Sequence, residues 1–137
     1  MKHVLEVCLI AFVLSCVARA QDPTKPMLRP GITVKMPFSS HAVEMPAADK
    51  EDVTVVSITA DGKLFLGLRP VDLSGLSSLN ESVVYVKADA RASYQSVLAV
   101  LDALRGRQVV LLTAPTVKGA KDTILPPYGL QLRVAAQ

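Results

Sequence analysis

The sequence predicts an α+β fold: a small mixed sheet with two helices on one face, preceded by a hydrophobic N-terminal segment. Three observations support this. Short β-branched runs alternate with two segments whose leucines recur at helical spacing. An Asp61-Gly62 pair separates two of the short runs and indicates a hairpin. The chain has 137 residues, enough for one domain but not for two ordinary ones.

The first twenty residues form an export or anchoring segment. A basic start at Lys2 precedes an apolar run over residues 4–18, and Ala18-Arg19-Ala20 is an A-x-A sequence that a signal peptidase could cut, leaving Gln21 first. The run is also nearly long enough to span a bilayer core of about 30 Å. Residues 13–16 (VLSC) offer a third possibility, because they resemble a bacterial lipobox ending at Cys16. Residues 1–20 are therefore a transmembrane anchor, a cleaved signal peptide or a lipid-anchored leader.

Residues 21–31 are predicted to be a tether. Pro23, Pro26 and Pro30 recur with basic residues between them, which favours an extended, solvated chain. Ten such residues reach about 30 Å, enough to hold a domain clear of a membrane surface. The domain proper then covers residues 32–137.

The sequence of the first half of the domain predicts mainly β structure. Ile32, Val34 and Met36 alternate with polar residues and predict a short strand that ends at Pro37. Residues 53–59 and 63–67 flank the Asp61-Gly62 turn and predict the hairpin. Leucines spaced by three over residues 72–80 then predict a short helix that Asp72 caps.

The second half alternates strand and helix. Residues 83–88 form an apolar run long enough only for a strand. Ser93 is the expected N-cap of the main helix, whose apolar positions begin at Tyr94, and Gly106 can end it. Residues 109–113 predict a buried strand, and the alternation of Leu130, Leu132 and Val134 predicts a last one at an edge of the sheet.

Composition excludes several classes of function. Without residues 1–20 the chain keeps 13 basic and 11 acidic residues, and the six aromatics of the full sequence form no cluster with Lys or Arg, so nucleic-acid binding is not expected. Both cysteines, Cys8 and Cys16, lie in the apolar run, which leaves none in the domain. His41 has no sequence-evident catalytic partner, and neither metal-ligand spacing nor a phosphate-binding glycine loop occurs. We therefore expect that the protein is not an enzyme and that it binds neither a cofactor nor a metal.

Several motifs together resemble the ExbD/TolR family of energy-transducing membrane proteins. The most specific is residues 84–89 (VYVKAD), followed by Tyr94 and by residues 97–104 (VLAVLDAL). Residues 32–37 (ITVKMP) resemble the family's V-x-V-x-L-P just outside the membrane, and the hairpin with its Asp-Gly turn adds to the match. The resemblance covers about residues 32–114.

The resemblance implies a partner of the ExbB/TolQ type, which forms a proton channel around paired ExbD-like helices, and therefore a homodimer. It also implies a TonB- or TolA-type effector that spans the periplasm. The function implied is a subunit of an inner-membrane complex that uses the proton motive force for transport across the envelope. Such a protein is single-pass, with its domain in the periplasm. The alternative is a periplasmic binding module, released by cleavage near Ala20, that has no motor role and recruits a peptide by strand addition.

Four residues correspond to the family's functional positions. Glu6 occupies the position of the family's membrane Asp and is the candidate proton carrier. A carboxyl group inside an apolar segment is energetically costly, and such groups usually have a function. In the domain these positions are Asp89, Tyr94 and Leu112. From the residues themselves, Asp89 is expected to cap or orient the turn between strand and helix. Tyr94 is expected in the core with its hydroxyl at the surface, and Leu112 in the core.

Overall fold

The computed structural model describes residues 30–115 and 125–133, which form one seven-stranded sheet with two α-helices. The two helices are α1 (Leu73–Ser77) and α2 (Tyr94–Ala103). A short 3₁₀ helix spans Pro46–Asp49. The strands are β1 (Val43–Glu44), β2 (Val55–Ile58), β3 (Leu64–Leu66), β4 (Arg69–Val71), β5 (Val83–Ala88), β6 (Gln108–Thr113) and β7 (Tyr128–Arg133).

The sheet is mixed, with the order β1-β7-β6-β5-β2-β3-β4. Its centre is parallel, because β5 pairs with β2 on one side and with β6 on the other in the same direction. The outer pairs are antiparallel. Helix α2 provides the crossover between the parallel neighbours β5 and β6, as such pairs require.

Both helices begin at a side-chain cap. The Asp72 carboxylate accepts a hydrogen bond from the Gly75 backbone amide at 2.8 Å, and the Ser93 hydroxyl accepts one from the Ser96 amide at 3.1 Å. These caps satisfy amides that the first turn of a helix leaves without partners. After α2 the chain turns through Gly106 at a φ of 82°, a conformation that favours glycine.

The main core lies between the helices and one face of the sheet. Leu76 of α1 and Val100 of α2 are fully buried, as is Leu104 just after α2. They pack against alternate residues of the central strands: Val56, Ile58, Val84, Val86, Ala88 and Val109. Because side chains alternate along a strand, residues such as Tyr85 and Leu112 are directed to the opposite face.

A second, smaller cluster covers that opposite face. Tyr85, Val110 and Leu112 pack there against Met45 and Ala48, which lie at and within the 3₁₀ helix. Residues 30–38 also cross this face, and their half-buried positions alternate with exposed ones. We call residues 30–38 the strap.

Within the described residues, no helix is both long and apolar enough to cross a membrane.

The predicted fold class is confirmed, and most predicted elements lie where expected, including β5 and the Asp61-Gly62 turn. The predicted strand around Val34 is wrong. The period-two pattern there reflects an extended strap resting on a sheet face, because burial alternates in any extended segment on an apolar surface, with or without a strand partner. The prediction also missed β1 and β4, and β7 is not a simple edge strand, since β1 pairs with its first two residues.

Candidate functional site

The strap is tied to the sheet by backbone hydrogen bonds at two points. The Ala90 amide donates to the Lys35 carbonyl at 2.7 Å, and the Ala114 amide donates to the Pro37 carbonyl at 2.9 Å. Phe38 forms a single parallel bridge to Ala114. The strap is therefore attached near the carboxyl ends of β5 and β6, where parallel strands commonly place functional residues.

Asp89 is the main side-chain contact of the strap. Its side chain is 4% exposed, and one carboxylate oxygen accepts a 3.0 Å hydrogen bond from the Lys35 amide. Arg91 supplies three more donors: its backbone amide at 3.0 Å, Nε at 2.8 Å and Nη2 at 3.0 Å. The carboxylate thus joins the strap to the turn between β5 and α2, and it orients that turn while Ser93 caps the helix.

These donors stabilise the charged form of Asp89. The Arg91 side chain has the largest effect, followed by the backbone amides of Lys35 and Arg91, and together they hold the pKa of the carboxyl well below its usual range. A carboxylate with four donors and such a pKa stays ionised at any physiological pH. Asp89 is therefore suited to a fixed ionic contact and not to proton transfer.

Leu112 lies on the same face as Asp89, beneath the strap. It is almost fully buried in the second cluster, and its Cα is paired with that of Lys87 on β5. The strap, Lys87 and Leu112 line a cleft of about 350 Å³. The structure thus brings two of the sequence-predicted residues, Asp89 and Leu112, to one surface.

Tyr94 lies away from that surface, and the prediction that it is a core residue is wrong. Its side chain is 80% exposed at the start of α2. At about 100° per residue, Tyr94 is about 80° around the helix from the buried Leu104, outside the apolar stripe. Leu98, one turn further along, is also exposed, so the two side chains form an apolar patch on the outer face of α2.

A second concave surface lies between the β3–β4 hairpin and α2. It has a volume of about 790 Å³, and its lining includes the apolar residues Leu64, Phe65 and Val71. The serines Ser74 of α1 and Ser96 of α2 also line it. A concave, largely apolar surface of this kind can accept part of a binding partner.

The two ends of the sheet differ in their capacity to pair with another strand. Strand β4 has Pro70 at its centre, which lacks an amide donor and so discourages pairing. On the side of β7 away from β6, β1 pairs only with Tyr128 and Gly129. Residues 130–133 have no strand partner on that side among the described residues, and they provide an open backbone edge.

No catalytic arrangement accompanies these surfaces in the part of the chain that the structure describes. His41 is exposed, and its Nδ1 lies 3.2 Å from the hydroxyl of its neighbour Ser40. No group of three His, Cys, Asp or Glu side chains within residues 30–115 and 125–133 could hold a metal ion. Glu6, the predicted proton carrier, lies outside the described residues.

Sequence reasoning missed two participants in the site. Arg91 could have been found, because an arginine two residues after an aspartate at the end of a strand can close on that carboxylate. Ser57 carries no such signal. A serine in a strand is expected to face solvent, yet Ser57 is fully buried, on the face of β2 that the strap covers.

The fold and the site are those of a small α+β domain that offers two clefts, an exposed apolar patch and a strand edge for binding. The family model described as "Biopolymer transport protein ExbD/TolR" matches residues 3–116, well over half of the chain. The chain therefore belongs to the ExbD/TolR family. Among curated proteins, no significant match to the chain was found.

Family membership establishes the protein as a biopolymer transport protein of the TonB/Tol type, in keeping with the resemblance of its motifs. Members of the family are transport accessory proteins rather than enzymes. The family also indicates a membrane-associated protein of the cell envelope.

Proposed function

We propose that the chain is a subunit of an inner-membrane complex driven by the proton motive force. It couples a proton channel of the ExbB/TolQ type to an effector of the TonB or TolA type, for transport of macromolecules or nutrients across the envelope. The observation that carries this proposal is the extent of the family match, which begins at residue 3 and so includes Glu6 and the apolar run as well as the domain.

In this proposal the three parts of the chain have separate tasks. Residues 1–20 are a single-pass anchor, with Glu6 taking up and releasing the proton. Residues 21–31 are the tether, and residues 32–137 are the periplasmic domain that contacts the effector. The domain acts by binding and needs neither catalysis nor a cofactor. Its exposed apolar patch at Tyr94 and Leu98 and the groove beside the hairpin are the surfaces best suited to a protein partner.

A second candidate is an exported binding module with no motor role. The Ala18-Arg19-Ala20 sequence favours it, since cleavage there would release the domain into the periplasm without Glu6. The fold serves this candidate equally well, because the open edge of β7 can pair with an extended peptide.

The mass of the mature chain separates the two candidates. We expect protein purified from the membrane fraction to begin at Met1 or Lys2, as shown by N-terminal sequencing and intact mass. A chain that begins at Gln21 would exclude proton coupling through Glu6. A lipid adduct on Cys16 at the new N-terminus would exclude it equally, because residues 1–15 would be lost.

We also propose a homodimer that pairs residues 130–133 of β7 with the same residues of a second copy. Antiparallel pairing of one edge with itself has two-fold symmetry, the commonest arrangement of homo-oligomers. The paired strands would continue the sheet from one copy to the other, and the backbone N–H and C=O groups of the open edge would gain hydrogen-bond partners.

Disulfide cross-linking tests this arrangement. In a full chain with Cys8 and Cys16 changed to serine, Gln131→Cys on β7 should give a dimer band under mild oxidation, because Gln131 is exposed and lies close to the symmetry axis. Gln95→Cys, an exposed position on α2, is the matched control and should stay monomeric. Equal cross-linking at both positions would contradict pairing through β7.

A further inference from the structure

Most of the strap backbone has no hydrogen-bond partner. Among residues 30–38, only Lys35 and Pro37 form backbone hydrogen bonds, and their partners are residues that follow β5 and β6. Residues 31–34 form none with any residue that the structure describes. An extended backbone without partners is a template for pairing with another strand.

The unpaired groups lie along one side of the strap. Burial alternates over residues 31–36, so this segment is extended, and in an extended chain the amide and carbonyl of successive residues point to opposite sides. Those of Lys35 and Pro37 point toward the ends of β5 and β6, to which they are bonded. Those of Ile32 and Val34 therefore point to the other side, which we call the open side of the strap.

The cleft of about 350 Å³ lies beside these groups. Residues 30–34 line it, together with Val55 and Leu112 from the strap side of the sheet and Ala48 of the 3₁₀ helix. Its volume is near the lower end of the range of ligand pockets, about 300–1,000 Å³. It is separate from the groove beside α2.

Ser57 adds a buried hydroxyl to this cleft. Its residue is 0% exposed, and its hydroxyl oxygen has no hydrogen-bond partner among the described residues. A buried hydroxyl without a partner costs stability, and most buried polar groups are paired. Because Ser57 lines the cleft, a molecule held there is in reach of the missing hydrogen bond.

The spacing of these groups selects an extended peptide. Ile32 and Val34 are about 7 Å apart along the strap, the repeat with which a peptide strand presents its own amides and carbonyls on one side. A compact small molecule does not span that distance with donors and acceptors in the same order.

The lining of the cleft selects small, uncharged side chains. Val55 and Leu112 are apolar, and the Ser57 hydroxyl can donate to a carbonyl or hydroxyl of the peptide. Lys87 also lines the cleft, but it already has an interaction of its own, so binding is assigned to Ser57 and the strap backbone alone.

We propose that the cleft beneath the strap is a docking site for an extended, uncharged peptide segment of a partner protein. The segment pairs with the backbone of Ile32 and Val34 and forms a hydrogen bond with Ser57. The inference goes beyond the proposed transport function and does not depend on it, because it rests only on residues of the domain. It is also distinct from strand addition at the open edge of β7.

NMR of the full chain in detergent micelles tests the proposal. The probe is the blocked peptide acetyl-Val-Ser-Val-Ser-amide, titrated to its solubility limit. It should shift the methyl signals of Val55 and Leu112 in a saturable way, because both side chains line the cleft. It should also slow hydrogen exchange of the Ile32 and Val34 amides, but not of the Thr33 amide, which points to the other side.

Two N-methylated forms of the peptide are the matched controls. One is methylated on its first and third amides and the other on its second and fourth, so each loses the donors of one side. Because a strand pairs with a neighbour through one side, at least one form should bind about tenfold more weakly than the parent peptide.

Two serine variants locate the site. Ser57→Ala should weaken binding about tenfold, the usual effect of one lost hydrogen bond. Its unfolding temperature should be unchanged or raised, because the hydroxyl has no partner to lose among the described residues. Ser82→Ala removes an exposed serine outside the cleft and should have no effect on binding.

Each outcome decides the proposal. Alternating protection of the strap amides, together with weaker binding to Ser57→Ala, supports it. It is overturned if the peptide causes no saturable shift, if it protects only the amides of residues 130–133 of β7, or if both N-methylated forms bind as tightly as the parent. Unchanged affinity for Ser57→Ala also overturns it. A lowered unfolding temperature of that variant does so too, by showing that the hydroxyl has a structural partner.

Discussion

Replacement of Glu6 by glutamine should abolish energised transport, whereas Glu6→Asp should retain it. Glutamine has the shape of glutamate but never ionises, so a step that depends on taking up and releasing a proton is lost completely. Aspartate keeps the carboxyl group and differs by one methylene. The measurement is uptake driven by the proton gradient in cells or vesicles that contain the chain with its channel subunit.

The size of this effect follows from the energies involved. One elementary charge that crosses the membrane gains about 2.3 kcal/mol per 100 mV of potential. A charged group at the centre of a bilayer costs about 2.5–3.5 kcal/mol on insertion scales. The two energies are similar, so a single carboxyl group that alternates between charged and neutral forms can drive a two-state change. Without ionisation there is no such change, and the expected result is loss of transport and not a partial defect.

The control is a carboxylate of the domain. Glu51→Gln changes an exposed residue and should leave transport at the wild-type rate, with the membrane content of every variant checked by immunoblot. If Glu6→Gln transports like the wild type, the motor role is wrong, and the exported binding module becomes the better description of the protein.

The local elements of the fold could be predicted because their signals lie within a few residues of each other. The first four residues of strand β5, 83–86, are one uninterrupted apolar run, and α2 begins after its cap at Ser93 and is followed by the turn at Gly106. Strand β4 gave no such signal. It has only three residues with Pro70 at its centre, and it forms because β3 is already in place to pair with it.

The strap and Tyr94 show where periodicity is ambiguous. The alternation at Ile32, Val34 and Met36 is compatible with a strand or with an extended segment lying across a sheet, and only the rest of the fold distinguishes them. Tyr94 matches a helical spacing, but its position in the first turn lies beside the buried stripe and not within it. In both cases the sequence indicates the local geometry, whereas the contacts are set by distant parts of the chain.

The candidate site was predictable only in part for the same reason. Asp89 and Leu112 were identified through the family's motifs, yet their common surface beneath the strap depends on residues far apart in sequence. The role of Lys35 uses its backbone amide, which no side-chain pattern reveals. Ser57 is a polar residue at a buried position, and its hydroxyl has no hydrogen-bond partner among the described residues.

Replacement of Asp89 by asparagine should release the strap from the sheet. Asparagine keeps the shape but loses the charge, and its amide group turns a donor toward either the Lys35 amide or the Arg91 guanidinium, both of which are donors themselves. We expect the unfolding temperature to fall by about 5 °C or more. Hydrogen exchange of the Lys35 amide should become about tenfold faster or more, because the strap opens without unfolding of the whole domain.

The matched control is Asp102→Asn on α2. Asp102 makes one exposed ion pair with Arg105 at 2.9 Å, and such pairs contribute little to stability. Its replacement should change the unfolding temperature by less than about 2 °C and should leave the exchange of Lys35 unchanged. Equal effects of the two replacements would show that the strap does not depend on Asp89.

The Asp89 carboxylate also makes the stability of the domain depend on pH. Since the pKa of Asp89 is lower in the folded than in the unfolded chain, its stabilising contribution is complete above the unfolded pKa of about 3.9 and is lost as the pH falls toward the folded pKa. Asp61, with its pKa lowered to about 2, and Asp72 contribute in the same direction, but they are present in wild type and variant alike. The difference in unfolding temperature between wild type and Asp89→Asn should therefore be constant from about pH 5 to 8 and shrink below about pH 4. A difference that persists unchanged at pH 2 would show that shape, and not charge, holds the strap in place.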